Sequence, residues 1–373
     1  MRWIFLTLIT VYFGSNFYVG RRSFQWLGTM FPQISGKAFI IVYTLLALSL
    51  VLGFLRLPFG IQDVMRWFAS YWTGFYIYLF LFFLLSDAVI LIGRLSRLIP
   101  SPMPQSVRFF AGLAVVILSV GVVCYGIFNA HRVKTVSYDV DIGLSGEMNI
   151  VLVSDLHLGD LGSERRLETI VEMINDLNPD LVCIAGDIFS NGYDAVRYPD
   201  KASALLQSIH APYGVYACFG NHDGGHSAGE MIDFLERSGV RLLKDEHVMI
   251  DERMVLLGRL DHSPIGGLGG SRRADFWELS ASLDAGLPIV VMDHNPAYIT
   301  EYRNAADLIL AGHTHRGQIF PGSIITGLIY PIDYGYIPKN EENPQVVISQ
   351  GAGTWMMPIR IGTSNEVVSV TVR

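Results

Sequence analysis

The sequence predicts an α/β protein in which multi-pass transmembrane helices precede a water-facing α/β domain. Three observations carry that reading. The 373 residues are 51% hydrophobic with a mean hydropathy of +0.37, and the excess lies before about residue 130. After residue 148, short apolar runs alternate with amphipathic helical stretches. Five polar motifs rich in Asp, His and Asn each follow one of those runs.

Region 1–130 holds four apolar stretches, at about 3–19, 39–55, 67–92 and 109–128. A bilayer span needs about 20 mostly apolar residues, with a range of roughly 17–25, so each reads as a transmembrane helix. The first two are short but carry no charge. Cations sit between the stretches (Arg21, Arg22, Lys37, Arg56, Arg66, Arg94, Arg97, Arg108) and aromatics crowd their ends (Trp3, Tyr18, Trp26, Trp67, Trp72), as at membrane interfaces. A cleaved signal peptide fits the first stretch poorly, because one Arg precedes it and no small-x-small site comes before Arg21. Asp87 is the one carboxylate inside an expected span, near one end and within reach of Arg94, and reads as a snorkelling or helix-pairing residue. Four spans put the C-terminal domain on the same side as the N-terminus. The flanking cations nearly balance between the two sides, so the chain reads as a multi-pass cell-membrane protein of open orientation. Cys124, Cys183 and Cys218 give no disulfide framework.

Residues 131–147 form a short linker with an edge-strand-like segment at 136–140, which keeps the following domain close to the bilayer. The domain itself spans 148–373. Its apolar runs at 150–153, 181–184, 215–219, 289–292 and 308–310 read as buried strands that end in loops. The stretch 164–177 places Leu167, Ile170, Val171, Ile174 and Leu177 at helical spacing, with Ser163 as N-cap and Asn178-Pro179 as stop. A second helix is expected over 228–238, ended by Gly239. The net charge of −7 and the lack of a basic patch argue against a polyanion binder, and no nucleic-acid partner is expected.

In order, the motifs are Asp155-Leu156-His157, Gly186-Asp187, Gly220-Asn221-His222-Asp223, Asp293-His294-Asn295-Pro296 and Gly312-His313-Thr314-His315. Any one of them alone would more often be a turn or a cap. Together they supply the carboxylates and imidazoles needed to hold two divalent cations, which can clamp the attacking and leaving oxygens of a phosphoester. Imidazole suits Zn, Fe and Ni, and carboxylate suits Mn and Mg, so the set selects no single metal.

These motifs resemble those of the calcineurin-like metallophosphoesterase superfamily over about residues 148–373. The stretch 350–367, with Gly353-Thr354, Ile359-Arg360-Ile361-Gly362 and Glu366, resembles the membrane-anchored prokaryotic branch. The resemblance implies a four-layer α/β/β/α domain, with two packed mixed β-sheets flanked by helices. It implies that Asp155, His157, Asp187 and His315 hold one metal, and that Asp187, Asn221, His294 and His313 hold the other, with Asp187 bridging. His222 would face the phosphate as proton donor or charge stabiliser, and Asp223 would orient His222. A metal-bridging water or hydroxide would attack phosphorus in line with the leaving group.

Substrate recognition has to come from loops. Three segments are candidates to wall the centre: 189–200; 259–275 with Arg259, His262, Arg272 and Arg273; and 322–343 with Tyr330, Tyr334 and Tyr336. Arg316 follows the last motif and could meet a phosphate. Arg272 and Arg273 read slightly better as a solvated loop. Asp160 and Asp194 read as solvated carboxylates, and His210, His226, His247 and His262 as loop residues. Asp293 could support a ligand or be structural. Residues 355–358, beginning with Trp355, could be an apolar lip or packed core. The expected partners are the phospholipid bilayer and a phosphorylated lipid or small-molecule substrate; nothing indicates an oligomeric state. The membrane anchor favours a membrane lipid or lipid-linked phosphate. The alternatives are a tethered phosphatase or phosphodiesterase acting on soluble substrates, and a membrane sensor or binding protein with a structural metal site.

Overall fold

The structure is a computed structural model that describes residues 2–53, 60–190, 192–267, 272–281, 283, 286–303, 305–340 and 344–373. The end of the second expected span, Arg56, residues 268–271 and residues 341–343 lie outside the described residues. The chain divides into two units, Met1–Ile127 and Phe128–Arg373.

Four long helices begin the chain: α1 (Arg2–Met30), α2 (Gly36–Gly53), α3 (Ile61–Leu95) and α4 (Gln105–Ala130). Among the described residues, α2, the Val64–Leu95 part of α3, and α4 are long and apolar enough to cross a membrane. Side chains such as Ile40, Ile41, Leu45 and Ile92 are about two-thirds exposed, as suits a face turned to lipid. Helix α1 does not stop near residue 19 but runs on to Met30. Arg21 and Arg22 are good helix formers, and Arg22 is held in place by an ion pair to Asp87 and a 3.0 Å bond to Gln25. Asp87 also accepts the Tyr18 hydroxyl (2.7 Å). Its recorded partners thus lie on α1 and do not include Arg94, which makes it a helix-pairing residue.

The second unit starts with β1 (Val133–Val140), β2 (Met148–Val153), α5 (Ser163–Asp176), β3 (Leu181–Ala185), α6 (Pro199–Gln207), β4 (Val215–Cys218), α7 (Ala228–Arg237) and β5 (Val240–Leu242). It continues with β6 (Glu246–Ile250), β7 (Met254–Gly258), α8 (Phe276–Ser280), β8 (Ile289–Met292) and β9 (Leu308–Ala311). It ends with α9 (Gly322–Ile329), β10 (Gly335–Ile337), β11 (Gln345–Ile348) and β12 (Asn365–Val372). Two six-stranded mixed sheets result, in the orders β1-β12-β2-β3-β4-β5 and β10-β11-β9-β8-β7-β6. In the first, β2 to β5 are parallel and β12 runs antiparallel to β2. In the second, β7, β8, β9 and β11 are parallel, with antiparallel strands at both edges.

The period-2 alternation of strand side chains builds the layers. Ile150, Leu152, Leu181 and Cys183 of the first sheet meet Leu256, Val290, Met292 and Leu308 of the second. The neighbours Val151, Val153, Val182 and Ile184 face the other way, onto Leu167, Ile170, Met231 and Phe234 of α5 and α7. Val255, Val291 and Ile309 turn to Phe276, Ile299 and Tyr302. The expected four layers are therefore present: helices, sheet, sheet, helices.

Candidate metal centre

The five motifs occupy turns at the carboxyl ends of parallel strands. Asp155 and His157 follow β2, Asp187 follows β3, Asn221 and His222 follow β4, His294 follows β8, and His313 and His315 follow β9. Both sheets thus deliver side chains from the end where α/β folds bind ligands. The turns are tight. Asp155, His157, Asp187, His313 and His315 have φ of 55, 48, 51, 72 and 47°, a left-handed conformation that costs about 1–3 kcal/mol for a non-glycine residue. Glycine makes the close approach possible: a Cβ on Gly220 would lie 2.3 Å from Asp187 Oδ1 and 2.4 Å from Asp187 N. Gly220→Ala should displace Asp187 and lower metal content or activity roughly ten- to a hundredfold, with native far-UV circular dichroism. Unchanged metal content and turnover would refute this.

Two donor groups face inward, Asp155–His157–His315 and Asp187–His294–His313, each with one donor atom per residue within 4.8 Å of the others. Nε2 of His157 is 3.1 Å from Nε2 of His315, and Nδ1 of His313 is 3.2 Å from Nε2 of His294. Ligands about 2.0 Å from a shared cation stand roughly 3.3 Å apart in a tetrahedron, so these spacings fit one cation per group. Asp187 Oδ2 is 3.2 Å from His294 Nε2 and 3.9 Å from His157 Nε2, so it faces both groups. Its Oδ1 accepts the His222 backbone N–H (2.9 Å). Asp155 Oδ1 and Asn221 Oδ1 are buried without a hydrogen-bond partner. An orphaned buried acceptor costs about 1–3 kcal/mol, and a cation held by Asp155, His157 and His315 would satisfy Asp155 Oδ1. The residues present therefore fit divalent cations.

The electrostatics agree. Burial holds His157 down to about 3 and His313 to about 4, so both imidazoles are neutral at pH 7. Burial also lowers His294, but the charge and hydrogen bond of Asp187 outweigh it and raise His294 well above the ordinary imidazole value. Burial raises Asp155 and Asp187, yet the surrounding histidines hold both carboxyls below their usual range. The ring atoms on the far side are also placed. His294 Nδ1 donates to the Ala185 carbonyl (2.8 Å). His315 Nδ1 lies 3.0 Å from Nη2 of the fully buried Arg360, which donates to the Gln350 (2.7 Å) and Gly353 (2.6 Å) carbonyls.

His222 belongs to neither group. Its Nδ1 is 2.6 Å from the Ser190 carbonyl oxygen, which can only accept, so the Nδ1 proton is fixed there and Nε2 is left for chemistry. Its ring centroid is 5.3 Å from that of His157 and 6.0 Å from that of the half-exposed Trp355. The expected contact from Asp223 is not formed. That carboxylate is fully buried and accepts the N–H groups of Ile188 (3.1 Å), Phe189 (2.9 Å) and Gly220 (2.9 Å). Asp223 therefore shapes the turns that carry Asp187 and Asn221, and burial and the Asp187 charge push it up to about 7. Ser190, marked by no motif, is what orients His222.

Several loop residues differ from expectation. The Arg316 guanidinium lies 4.7 Å over the Tyr334 ring, and no contact with either donor group is recorded for it. Arg259 is fully buried on Asp245 (2.8 Å) and the Ala274 carbonyl (2.9 Å), a structural role. Arg273 is no solvated cation: it bonds Asp293 (2.8 Å), Glu301 (2.9 Å) and Tyr302 (2.6 Å), which also settles Asp293 as structural. Asp160 accepts the Met356 N–H (3.0 Å), and burial raises its pKa, so it ties two loops together instead of lying in solvent. The segment 322–343 is not all loop, because it contains α9 and β10. Tyr330, at the end of α9, brings its ring centroid to 5.7 Å from that of His313. Asp261 was not singled out by any motif. It is buried with one carboxylate oxygen unpartnered, its charge is felt at His294, and it lines a recess of about 530 Å³ with His262, Arg272 and Glu301.

A model of the calcineurin-like phosphoesterase family matches residues 148–317. An uncharacterized metallophosphoesterase of Campylobacter jejuni is 28% identical over 99% of this chain and 98% of its own length. One from Aquifex aeolicus is 30% identical over 61% of this chain and 85% of its own length. A zebrafish transmembrane protein with a metallophosphoesterase domain is 29% identical over 70% of this chain and 62% of its own length. Among solved structures, a dimetal phosphatase from the same fish aligns over 55% of this chain and 87% of its own, with 15% identity and a TM-score of 0.37.

Proposed function

The chain belongs to the calcineurin-like metallophosphoesterase family, and from that premise we propose that it hydrolyses a phosphoester or pyrophosphate bond of a membrane lipid or lipid-linked phosphate at a pair of divalent cations. One observation carries the dinuclear reading: Asp187 Oδ2 faces both donor groups at once. Asp155, His157 and His315 would hold one cation and Asn221, His294 and His313 the other, with Asp187 shared. When bound, such a pair supplies Lewis-acid stabilisation of phosphoryl charge and an activated oxygen nucleophile. The protein's own contribution is placement. Asp187, with His222 N–H on Oδ1, keeps Oδ2 turned inward. His222, whose ring centroid is 5.3 Å from that of His157 and whose Nδ1–H is held by the Ser190 carbonyl, would as the imidazolium, with a second proton on Nε2, either donate that proton to the leaving oxygen or stabilise its charge. The three apolar helices earlier in the same chain support a substrate that resides in the bilayer, and α1 is taken as a fourth span.

Cation uptake has to displace the proton that Asp187 draws onto His294, because a ligating imidazole is neutral. His157 and His313 are already neutral and release none. Metal affinity should therefore fall by at least about tenfold per pH unit below the His294 pKa, from the one proton exchanged at that group. Titration calorimetry over a pH series checks this, and a pH-independent affinity would refute it.

The first experiment is release of p-nitrophenol from the mono- and bis-p-nitrophenyl phosphates by the detergent-purified protein with manganese. Metal-dependent release supports the phosphoesterase reading, and the preferred ester directs a screen of lipid extracts. Robust activity on soluble nucleotides with none on any phospholipid or lipid pyrophosphate would overturn the lipid assignment.

A further inference from the structure

Helix α9 is built inside out. A helix on a water-soluble domain buries its apolar face and shows its polar one. In α9, Ile324, Ile325, Leu328 and Ile329 are 55, 56, 83 and 66% exposed. Their spacing puts them on one side of the helix. Its polar Thr326 turns inward and donates to Asp333 (2.8 Å). No charged residue interrupts the sequence between Phe320 and Tyr330. An exposed apolar patch of this kind marks a binding surface for protein or membrane.

Two placements identify what covers it. The first is the metal centre. Gly317, two residues past His315, crosses Gly322 so closely that a Cβ on Gly317 would lie 2.1 Å from the Gly322 carbonyl carbon. At its other end the helix delivers Tyr330 against His313. The helix is thus anchored at one end two residues past the candidate ligand His315 and at the other against the candidate ligand His313. The second placement is the membrane. The segment 360–365 carries the root of α9: Phe320 N–H donates to the Ile361 carbonyl (2.8 Å) and the Thr363 hydroxyl to the Gln318 carbonyl (2.6 Å). The same segment holds Asn129 and Ala130. Asn129 donates to the Arg360 (3.0 Å) and Thr363 (2.7 Å) carbonyls, and Asn365 donates to the Ala130 carbonyl (2.6 Å). Asn129 and Ala130 are the last residues of α4, a helix long and apolar enough to cross a membrane. All these bonds lie within the second unit.

We propose that α9 inserts its Ile324–Ile325–Leu328–Ile329 face into the acyl layer of the bilayer that holds the chain's own helices, as a lip that presents a lipid phosphate to the metal centre. The presenting role rests on the phosphoesterase reading; the insertion does not. An apolar helix lying in the interface plane is held there by its buried side chains.

The test uses the full chain in phosphatidylethanolamine/phosphatidylglycerol nanodiscs. Cys124 is the exposed thiol among the three and is replaced by serine. An environment-sensitive dye is placed at Leu328→Cys, or at Tyr198→Cys as an exposed control in the same unit. Insertion requires blue-shifted emission at position 328, quenched by nitroxide-labelled lipid, with neither effect at 198. Adding Ile325→Asp and Ile329→Asp should lower the inserted-to-solvated ratio by roughly a hundredfold or more and abolish the quenching. A label at 328 that behaves like the one at 198 overturns the proposal. So does a blue shift that lipid nitroxide does not quench, because a second copy or another protein then covers the face. Metal-dependent hydrolysis of bis-p-nitrophenyl phosphate in the same nanodiscs separates the two readings. Hydrolysis with a solvated label sinks the lip alone. A lipid-quenched label on a protein inert toward phosphoesters sinks the presenting role and leaves the insertion.

Discussion

Asp187→Ala should lose bound metal and activity together, with turnover falling at least about a thousandfold, since the cations' charge stabilisation is worth several kcal/mol. Among the described residues, no other carboxylate has an oxygen recorded at both donor groups, as Asp187 Oδ2 does beside His294 and His157. On the proposed dinuclear reading, removing it would take a ligand from both positions at once. It also strips His294 of the largest of the charges that offset its burial. Asp187→Asn keeps an acceptor for the His222 N–H but gives up the negative charge, and should retain the turn while still losing metal. The measurement is metal content by elemental analysis beside turnover of p-nitrophenyl esters. A variant that keeps a full complement of metal would refute the shared-ligand assignment.

The candidate ligands were legible in the sequence through a family resemblance carried by five motifs, each of which follows an apolar run that reads as a buried strand. Two adjacent β-strand layers then bring residues as distant as His157 and His315 to 3.1 Å. What surrounds the ligands was less legible, for a physical reason. A charged residue in a glycine-rich stretch reads as solvated, but Arg273 is neutralised by Asp293 and Glu301, 20 and 28 positions away. Only the fold creates those pairings. Asp223 beside His222 suggested an orienting pair, but side chains on adjacent turn residues diverge, and the carboxylate instead collects three backbone N–H groups. The orienting group for His222 is a backbone carbonyl, which no residue type encodes. The left-handed backbone at five candidate ligands is likewise set by the tertiary turns, since Asp and His are common in ordinary loops. Helix α9 was hidden because eight residues with two glycines and two hydroxyls carry little intrinsic helix preference.

His222→Ala should cut turnover roughly 10²–10⁴-fold, the span of a positioned proton donor, while metal content stays near normal. The substitution removes the ring but keeps the backbone N–H that steadies Asp187, so the donor groups stay intact. The size of the loss should depend on the leaving group. A p-nitrophenolate departs readily as an anion and needs little help, whereas an alkoxide of the kind a lipid ester releases needs a proton as its bond to phosphorus breaks. Proton donation from Nε2 therefore predicts a large loss on an alkyl phosphoester and a small one on the nitrophenyl ester. Equal losses on both would mean that the ring stabilises phosphoryl charge without transferring a proton. Loss of metal along with activity would remove His222 from the chemistry and make it part of the scaffold.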